Sequence, residues 1–272
     1  MKYDTIIVHE RTNASLAQRV AKHLGVEALE VGIADFPNGE FNVGEICIEA
    51  DRAIVIFPKI DDINKQLVQF MLMCGLCENC KKIDAVIPYI PYSRQNSSTI
   101  HETIFKTFNA LGVSRIITVD IHNDSILRDH NIINILPHEI FGKVVEVVED
   151  VVIIAPDLGA IPRAAQFAEH LKAPLVTIDK NSEMMSNTSS IAERHCIIVD
   201  DIIDSGRTIN NAISKLRSYN PRAISACITH AFPSQKRKLI GLDKLYTSES
   251  FDTQELNSTI PYDHALATAL ED

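Results

Sequence analysis

Cys196-Ile-Ile-Val-Asp-Asp-Ile-Ile-Asp-Ser-Gly-Arg-Thr208 runs four apolar residues into an acidic pair, two more apolar residues, and a short polar loop that opens a helical pattern. Residues 196–199 are apolar without alternation, which suits a parallel strand covered on both faces, and in open α/β sheets ligands bind beyond the carboxyl ends of such strands. The loop falls at that end. Asp204, Ser205, Gly206 and Thr208 supply what a phosphate monoester needs: backbone N–H groups at a helix N-terminus, hydroxyl donors, and a glycine that admits close backbone approach. Asp200 and Asp201 would then face ribose hydroxyls. An ordinary strand–turn–helix with an aspartate cap shares parts of this pattern, but not the whole composite.

Outward from this stretch, short apolar runs alternate with amphipathic ones, as in strand–helix repeats around parallel sheets. The first half predicts strands over residues 5–8, 53–57, 83–87 and 115–119, and helices over 15–24, 63–80 and 102–111, with Asn13 as a cap for the first. The second half restarts with strands over 151–155, 175–178, 196–199 and 223–229 and helices over 161–170 and 208–217. The expected architecture is therefore α/β, with two similar domains, each a mainly parallel sheet flanked by helices. The join is expected near Pro137, giving domains 1–137 and 138–272, packed tightly because no flexible linker separates them.

A chain of 272 residues suits two domains, and 46% hydrophobic with 23% charged residues is the balance of a globular protein. The N-terminus places an acidic residue ahead of a short apolar run, neither a signal peptide nor a membrane span, so a cytoplasmic protein without a membrane partner is expected. A net charge of −10 argues against a nucleic-acid surface, which needs a basic face. The six cysteines are expected to stay reduced in that compartment. Cys74, Cys77 and Cys80 repeat every three residues within a helical apolar pattern and lack a second ligand pair, so they read as helix core.

The 196–208 stretch resembles the 5-phosphoribosyl-1-pyrophosphate (PRPP) motif shared by phosphoribosyltransferases and ribose-phosphate pyrophosphokinases. Five further segments resemble the pyrophosphokinase family. In Asp35-Phe-Pro-Asn-Gly-Glu40 the resemblance implies that Phe36, Asn38 and Glu40 line the ATP site of a neighbouring subunit, although Pro-Asn-Gly is also an ordinary turn signal. Ile87-Pro-Tyr-Ile-Pro-Tyr-Ser-Arg-Gln95 implies ATP contacts from Arg94, a planar fork suited to phosphate, and Gln95. Thr118-Val-Asp-Ile-His-Asn123 implies that His122 helps organise ATP and magnesium. Ala155-Pro-Asp-Leu-Gly-Ala-Ile-Pro-Arg-Ala164 places Asp157 as a magnesium ligand, a role that can coexist with helix capping. Val176-Thr-Ile-Asp-Lys180 ends on Lys180, the implied catalytic cation.

The resemblance implies phosphoribosyltransferase-like folds in both halves, Mg2+ as cofactor, and transfer of the diphosphoryl group of Mg-ATP to ribose 5-phosphate to give PRPP and AMP. Asp200, Asp201, Asp204, Ser205, Gly206, Arg207 and Thr208 would hold ribose 5-phosphate. A homodimer or hexamer follows from the shared ATP site. The chain departs from the family at three places. Two residues beyond Lys180, where the family has Arg, stands Ser182, next to Glu183. Asn96 replaces the usual Asp, and the segment 97–101 is shorter and lacks the family's basic residues. Arg207 stands where Gly is frequent, closer to the transferase form of the loop. Two alternatives therefore stand beside the enzyme: a regulatory or nucleotide-binding subunit of the same family, and a phosphoribosyltransferase.

Overall fold

The computed structural model describes residues 2–44, 46–95, 97–145, 148–179, 185–232, 238–251 and 258–271. The chain divides into two compact units, one formed by Met1–Ile135 with Asp263–Asp272 and the other by Leu136–Tyr262.

The first unit contains β1 (Lys2–Glu10), α1 (Ala14–Leu24), β2 (Glu27–Val31), β3 (Ile33–Asp35), β4 (Phe41–Val43), β5 (Glu49–Ile56), α2 (Ile63–Leu76), β6 (Lys82–Val86), α3 (Ser98–Ala110), β7 (Val113–Val119) and β8 (Ile132–Ile135). Six strands form a parallel sheet in the order β2-β1-β5-β6-β7-β8, and β3 and β4 form a separate antiparallel hairpin. Val8 and residues 53–56 are wholly buried, as central strands covered on both faces require. Phe57, Phe70, Phe105 and Phe108 stack beside them in tilted and edge-on pairs.

The second unit contains α4 (Pro137–Val145), β9 (Val151–Ala155), α5 (Ile161–Leu171), β10 (Leu175–Thr177), β11 (His195–Ile203), α6 (Arg207–Arg217), β12 (Ala223–Ala231), β13 (Lys244–Ser248) and β14 (Ser258–Ile260). Its parallel sheet has the order β10-β9-β11-β12-β13-β14. Counted along the chain, each sheet therefore reads second, first, third, fourth, fifth, sixth. Each has its topological switch point beside its first strand: between β1 and β5, and between β9 and β11.

The last helix, α7 (Asp263–Glu271), belongs to the first unit. The expected boundary, with residues 138–272 as one domain, did not include this return. Leu266 and Leu270 are buried, Arg19 and His23 of α1 bind the Asp263 carboxylate at 2.9 and 3.0 Å, and Arg52 and Arg115 donate to the Leu270 carbonyl at 2.7 and 3.3 Å. Both ends of α7 are thus held by basic side chains, in keeping with an acidic residue at its start and orphan carbonyls at its end. The two arginines are anchored by Asp84, whose side chain is fully buried.

Two local expectations also change. Asn13 makes no side-chain capping bond; its amide donates to the Phe57 carbonyl and ties the start of α1 to the end of β5. The helix expected over 63–80 ends at Leu76, where the Cys77 N–H turns back to the carbonyls of Cys74 and Gly75. Cys74 and Cys77 are buried, and burial pushes the Cys77 thiol up to about 12. All six cysteines are free thiols.

Candidate functional site

In the second unit the residues named from sequence gather at the switch point. The β9–β11 pairing ends at Ile154 opposite Ile198, so the strands part immediately before Asp157 and the acidic pair. Asp200 and Asp201 lie within β11, because pairing with β12 continues to Ile203 opposite Ala231 and extends the strand beyond the expected 196–199. Both are buried, at 8% and 3% exposure. Burial pushes the Asp200 carboxyl well above the usual carboxylate range, and the charges of Asp201 and Asp157 reinforce this while Arg163 opposes it. Arg163, in the first turn of α5, stands 3.6 Å from Asp201. Its place in the 155–164 segment, six residues after Asp157, is the sequence signal that finds it.

Asp157 accepts from the Ala160 N–H at 3.1 Å and so caps the single turn leading into α5. Beyond β11 the chain turns at Gly206, whose φ of 79° is one that glycine adopts without steric cost, and α6 begins at Arg207. Asp204 and Ser205 are exposed, Thr208 is half-buried, and the Arg207 N–H reaches Ser205 Oγ at 3.5 Å. The N-cap residue Gly206 has no side chain with which to cap this eleven-residue helix, whose first-turn N–H groups face the loop. Helix dipole and N–H groups favour an anion at this end, while the carboxylates behind it favour hydroxyl donors or a cation.

In the first unit, Arg94 and Gln95 follow β6 and His122 follows β7, two strands adjacent in the sheet, so all three stand near the carboxyl edge. All three are exposed. The loop carrying Arg94 is braced from behind: Tyr92, at φ 63°, bonds Asn64 through its hydroxyl, and His101 Nε2 donates to its carbonyl at 3.2 Å. His101 belongs to α3, which starts at Ser98, so part of the shortened segment 97–101 is helical.

Phe36, Asn38 and Glu40 occupy the turn of the β3–β4 hairpin. Phe36 and Glu40 are joined by a backbone bond of 2.8 Å and Asn38 Nδ2 donates to Glu40 Oε2 at 2.9 Å, so the Pro-Asn-Gly turn signal is realised. The hairpin leaves the β2 edge of the sheet, three strands from β6 and four from β7. Asp35 at the start of the hairpin turn meets Lys65 of α2 at 2.9 Å, and the adjacent Asn64 accepts from the Tyr92 hydroxyl in the loop that carries Arg94. Lys180, Ser182 and Asn96 lie outside the described residues.

Comparison with known proteins agrees with this layout. Residues 5–109 match the family model described as the N-terminal domain of ribose phosphate pyrophosphokinase, and residues 122–264 match the phosphoribosyl transferase domain. The ribose-phosphate pyrophosphokinase of Clostridium tetani is 30% identical over 83% of this chain and 80% of its own length. The chain belongs to the ribose-phosphate pyrophosphokinase family.

The Thermosipho africanus ribose-phosphate pyrophosphokinase is 28% identical over 94% of this chain and 89% of its own. The phosphoribosylpyrophosphate synthetase of Mycobacterium smegmatis shares the fold, with a TM-score of 0.83 over 98% of each chain at 23% identity.

Membership raises the question of magnesium. Among the described residues no three His, Cys, Asp or Glu side chains form a ready cage for a metal ion. Mg2+ commonly takes only one or two carboxylates and completes its shell with water and substrate phosphate oxygens. Asp157 and the Asp200–Asp201 pair offer carboxylates of that kind at one end of the sheet: burial first, then the charges of Asp201 and Asp157, raise the Asp200 carboxyl, and Arg163 stands 3.6 Å from Asp201. Arg194 precedes β11 at the amino end of the sheet, and the nine-residue strand separates it from Asp204 by roughly 30 Å at 3.3 Å per residue.

Proposed function

We propose that this chain is a ribose-phosphate pyrophosphokinase that transfers the diphosphoryl group of Mg-ATP to ribose 5-phosphate, giving PRPP and AMP. The observation that carries the reading is the composite at the β9–β11 switch point: a buried acidic pair leading through Gly206 into a helix N-terminus lined with hydroxyls. The anomeric hydroxyl attacks the β-phosphorus. A new O–P bond forms, the bond from the β-phosphorus to the α,β-bridging oxygen breaks, AMP leaves with that oxygen, and the hydroxyl proton passes to solvent.

Asp200 and Asp201 accept hydrogen bonds from the ribose hydroxyls. Asp204, Ser205, Gly206, Arg207 and Thr208 hold the 5-phosphate through α6 N–H groups, hydroxyls and the Arg207 cation. Arg94 binds phosphate as a planar fork, Gln95 supplies an amide and His122 orients the nucleotide. Magnesium ions, assigned to His122 and Asp157, supply charge compensation on phosphoryl oxygens. Lys180 stabilises the charge that develops in transfer.

Phe36, Asn38 and Glu40 complete the ATP site of a second copy, in a homodimer or hexamer. Supporting this, Phe36 is 44% exposed, and Val68 and Leu72 of α2 are 47% and 40% exposed. Both lie on the helix stripe of Lys65, which binds Asp35 at 2.9 Å and stands over the Phe41 ring. An apolar surface is thus continuous with the hairpin. No described helix is long and apolar enough to cross a membrane, and the reading places the enzyme in the cytoplasm.

The test is a coupled assay with Mg-ATP and ribose 5-phosphate, with folded Lys180→Ala protein as control. AMP and PRPP formation well above that control is expected; equal rates would sink the reading. Ser182 and Glu183 favour one second reading, a regulatory or nucleotide-binding subunit of the family. Calorimetric ATP binding without turnover, or turnover only beside an active homologue, would establish it.

A further inference from the structure

Because α2 ends at Leu76, the three cysteines spaced along it have different places: Cys74 lies in the helix, Cys77 at its cap and Cys80 beyond it. Cys74 and Cys77 are buried and Cys80 is half-buried, so only the last leaves the helix core expected for all three.

The chain turns between Cys77 and Cys80. The Cys80 N–H donates to the Cys77 carbonyl at 2.9 Å, a turn whose end Cα atoms lie within about 7 Å of each other. A disulfide spans roughly 4.4–6.8 Å between Cα atoms, so this pair can close with little backbone movement. The side chains also meet: burial first, and then the charge and hydrogen bond of the neighbouring Cys80, push the Cys77 thiol up to about 12.

The turn is held against the strand beside it. Cys80 Sγ donates to the Ile48 carbonyl at 3.4 Å, Asn79 Nδ2 donates to Cys47 Sγ at 3.2 Å, and the Lys81 N–H donates to the Ala50 carbonyl at 3.1 Å. A frayed helix end would not carry these bonds, so the two sulfurs are placed before any bond joins them. Cys74 stands at the same spacing from Cys77, but both sulfurs of that pair are buried and no reagent reaches either. C-x-x-C among strand–helix repeats is the spacing of a redox-active dithiol, and disulfides in reducing compartments are of this transient kind. Burial raises the Cys80 thiol too, so both sulfurs rest protonated at neutral pH and react faster as pH rises.

We propose that Cys77 and Cys80 form a redox-active dithiol that exchanges with small-molecule disulfides, Cys80 as the entry thiol and Cys77 as the resolving one.

The Cys80 thiolate attacks one sulfur of the reagent, breaking its S–S bond and expelling one thiolate. The Cys77 thiolate then attacks the Cys80 sulfur and expels the second. Two electrons pass from the cysteine pair to the reagent, and the two protons the cysteines give up end on the two released thiols. Closing the bond removes the S–H that Cys80 donates to Ile48.

The test equilibrates folded wild-type protein with oxidised and reduced glutathione, quenches in acid, alkylates in denaturant and maps tryptic peptides by mass spectrometry. Cleavage after Lys65 and Lys81 leaves Cys74, Cys77 and Cys80 in one peptide and Cys47 in another. The expected product is the 66–81 peptide two hydrogens lighter, linked between Cys77 and Cys80, with Cys74 alkylated. The preformed turn should favour the link at least about tenfold over urea-unfolded chain at the same glutathione ratio, and linking should quicken about tenfold from pH 7 to pH 8. Cys47→Ser should link as wild type does, and Cys80→Ser should leave Cys77 alkylated. Full alkylation of Cys77 and Cys80 in the wild type, a link to Cys47 instead, or no advantage over the unfolded chain would overturn the proposal.

Discussion

Replacing Asp84 by Asn should destabilise the first unit more than any other single polar change there. The Asp84 side chain is fully buried and receives Arg52 Nε at 2.8 Å, Arg115 Nη2 at 2.9 Å and Lys82 Nζ at 3.2 Å. Lys82 is 44% exposed and contributes at most about 1 kcal/mol. Arg115 is only 9% exposed, and stranding such a charge costs about 3–5 kcal/mol. At 2–4 °C per kcal/mol for a chain of this size, melting should fall by on the order of 10 °C at pH 7. The same two arginines hold the Leu270 carbonyl, so hydrogen exchange should quicken first in α7. Burial alone would raise the Asp84 carboxyl, but Arg115 and Arg52 outweigh it and hold it below its ordinary value. The folded chain therefore keeps the charge while the unfolded chain, with a pKa of about 3.9, takes up protons. The stabilisation is full above that value and is lost as pH falls through the folded one. Calorimetry or urea unfolding at pH 7 and in acid reads both effects. A difference below about 1 kcal/mol at pH 7, or one that does not shrink in acid, would refute the reasoning.

Asp200→Asn should do the reverse. The raised carboxyl makes folding less favourable as pH rises from the unfolded value towards the folded one, so the neutral amide should add about 1 kcal/mol at pH 7, an advantage that vanishes near pH 4, while PRPP formation falls. A variant less stable than wild type at neutral pH would contradict this. Ser182→Arg restores the cation the family places after its lysine and should raise kcat by on the order of a hundred- to a thousand-fold; an unchanged kcat in steady-state assays would show that the loop is not limiting. Phe36→Ala, at a 44% exposed position, should leave melting within about 0.5 kcal/mol but lower kcat/KM for ATP, and unaltered ATP kinetics would remove the hairpin from the site.

The parallel α/β pattern was legible because buried central strands such as residues 53–56 and 196–199 are apolar throughout and glycine and polar residues punctuate them. The edge strands were not. β2 has a mixed burial pattern with a single fully buried residue, Val31, and β3 none, so neither carries a strong period. The strand–loop–helix at residues 200–208 could be read directly because its requirements are local: a Gly at φ 79° and hydroxyls beside a helix start. Arg163 was hidden because its importance comes from facing Asp201 across two elements.

The sequence by itself thus determined the fold class, the duplicated strand–helix pattern and the acidic pair leading into a glycine and hydroxyl loop, all set by neighbours along the chain. Tertiary structure alone decided that α7 returns to the first unit, where Asp263 meets Arg19 from 244 residues away. It also decided that the acidic pair sits inside a strand. The physical reason is that such contacts depend on complementary buried surface and charge between distant segments, which no local periodicity encodes.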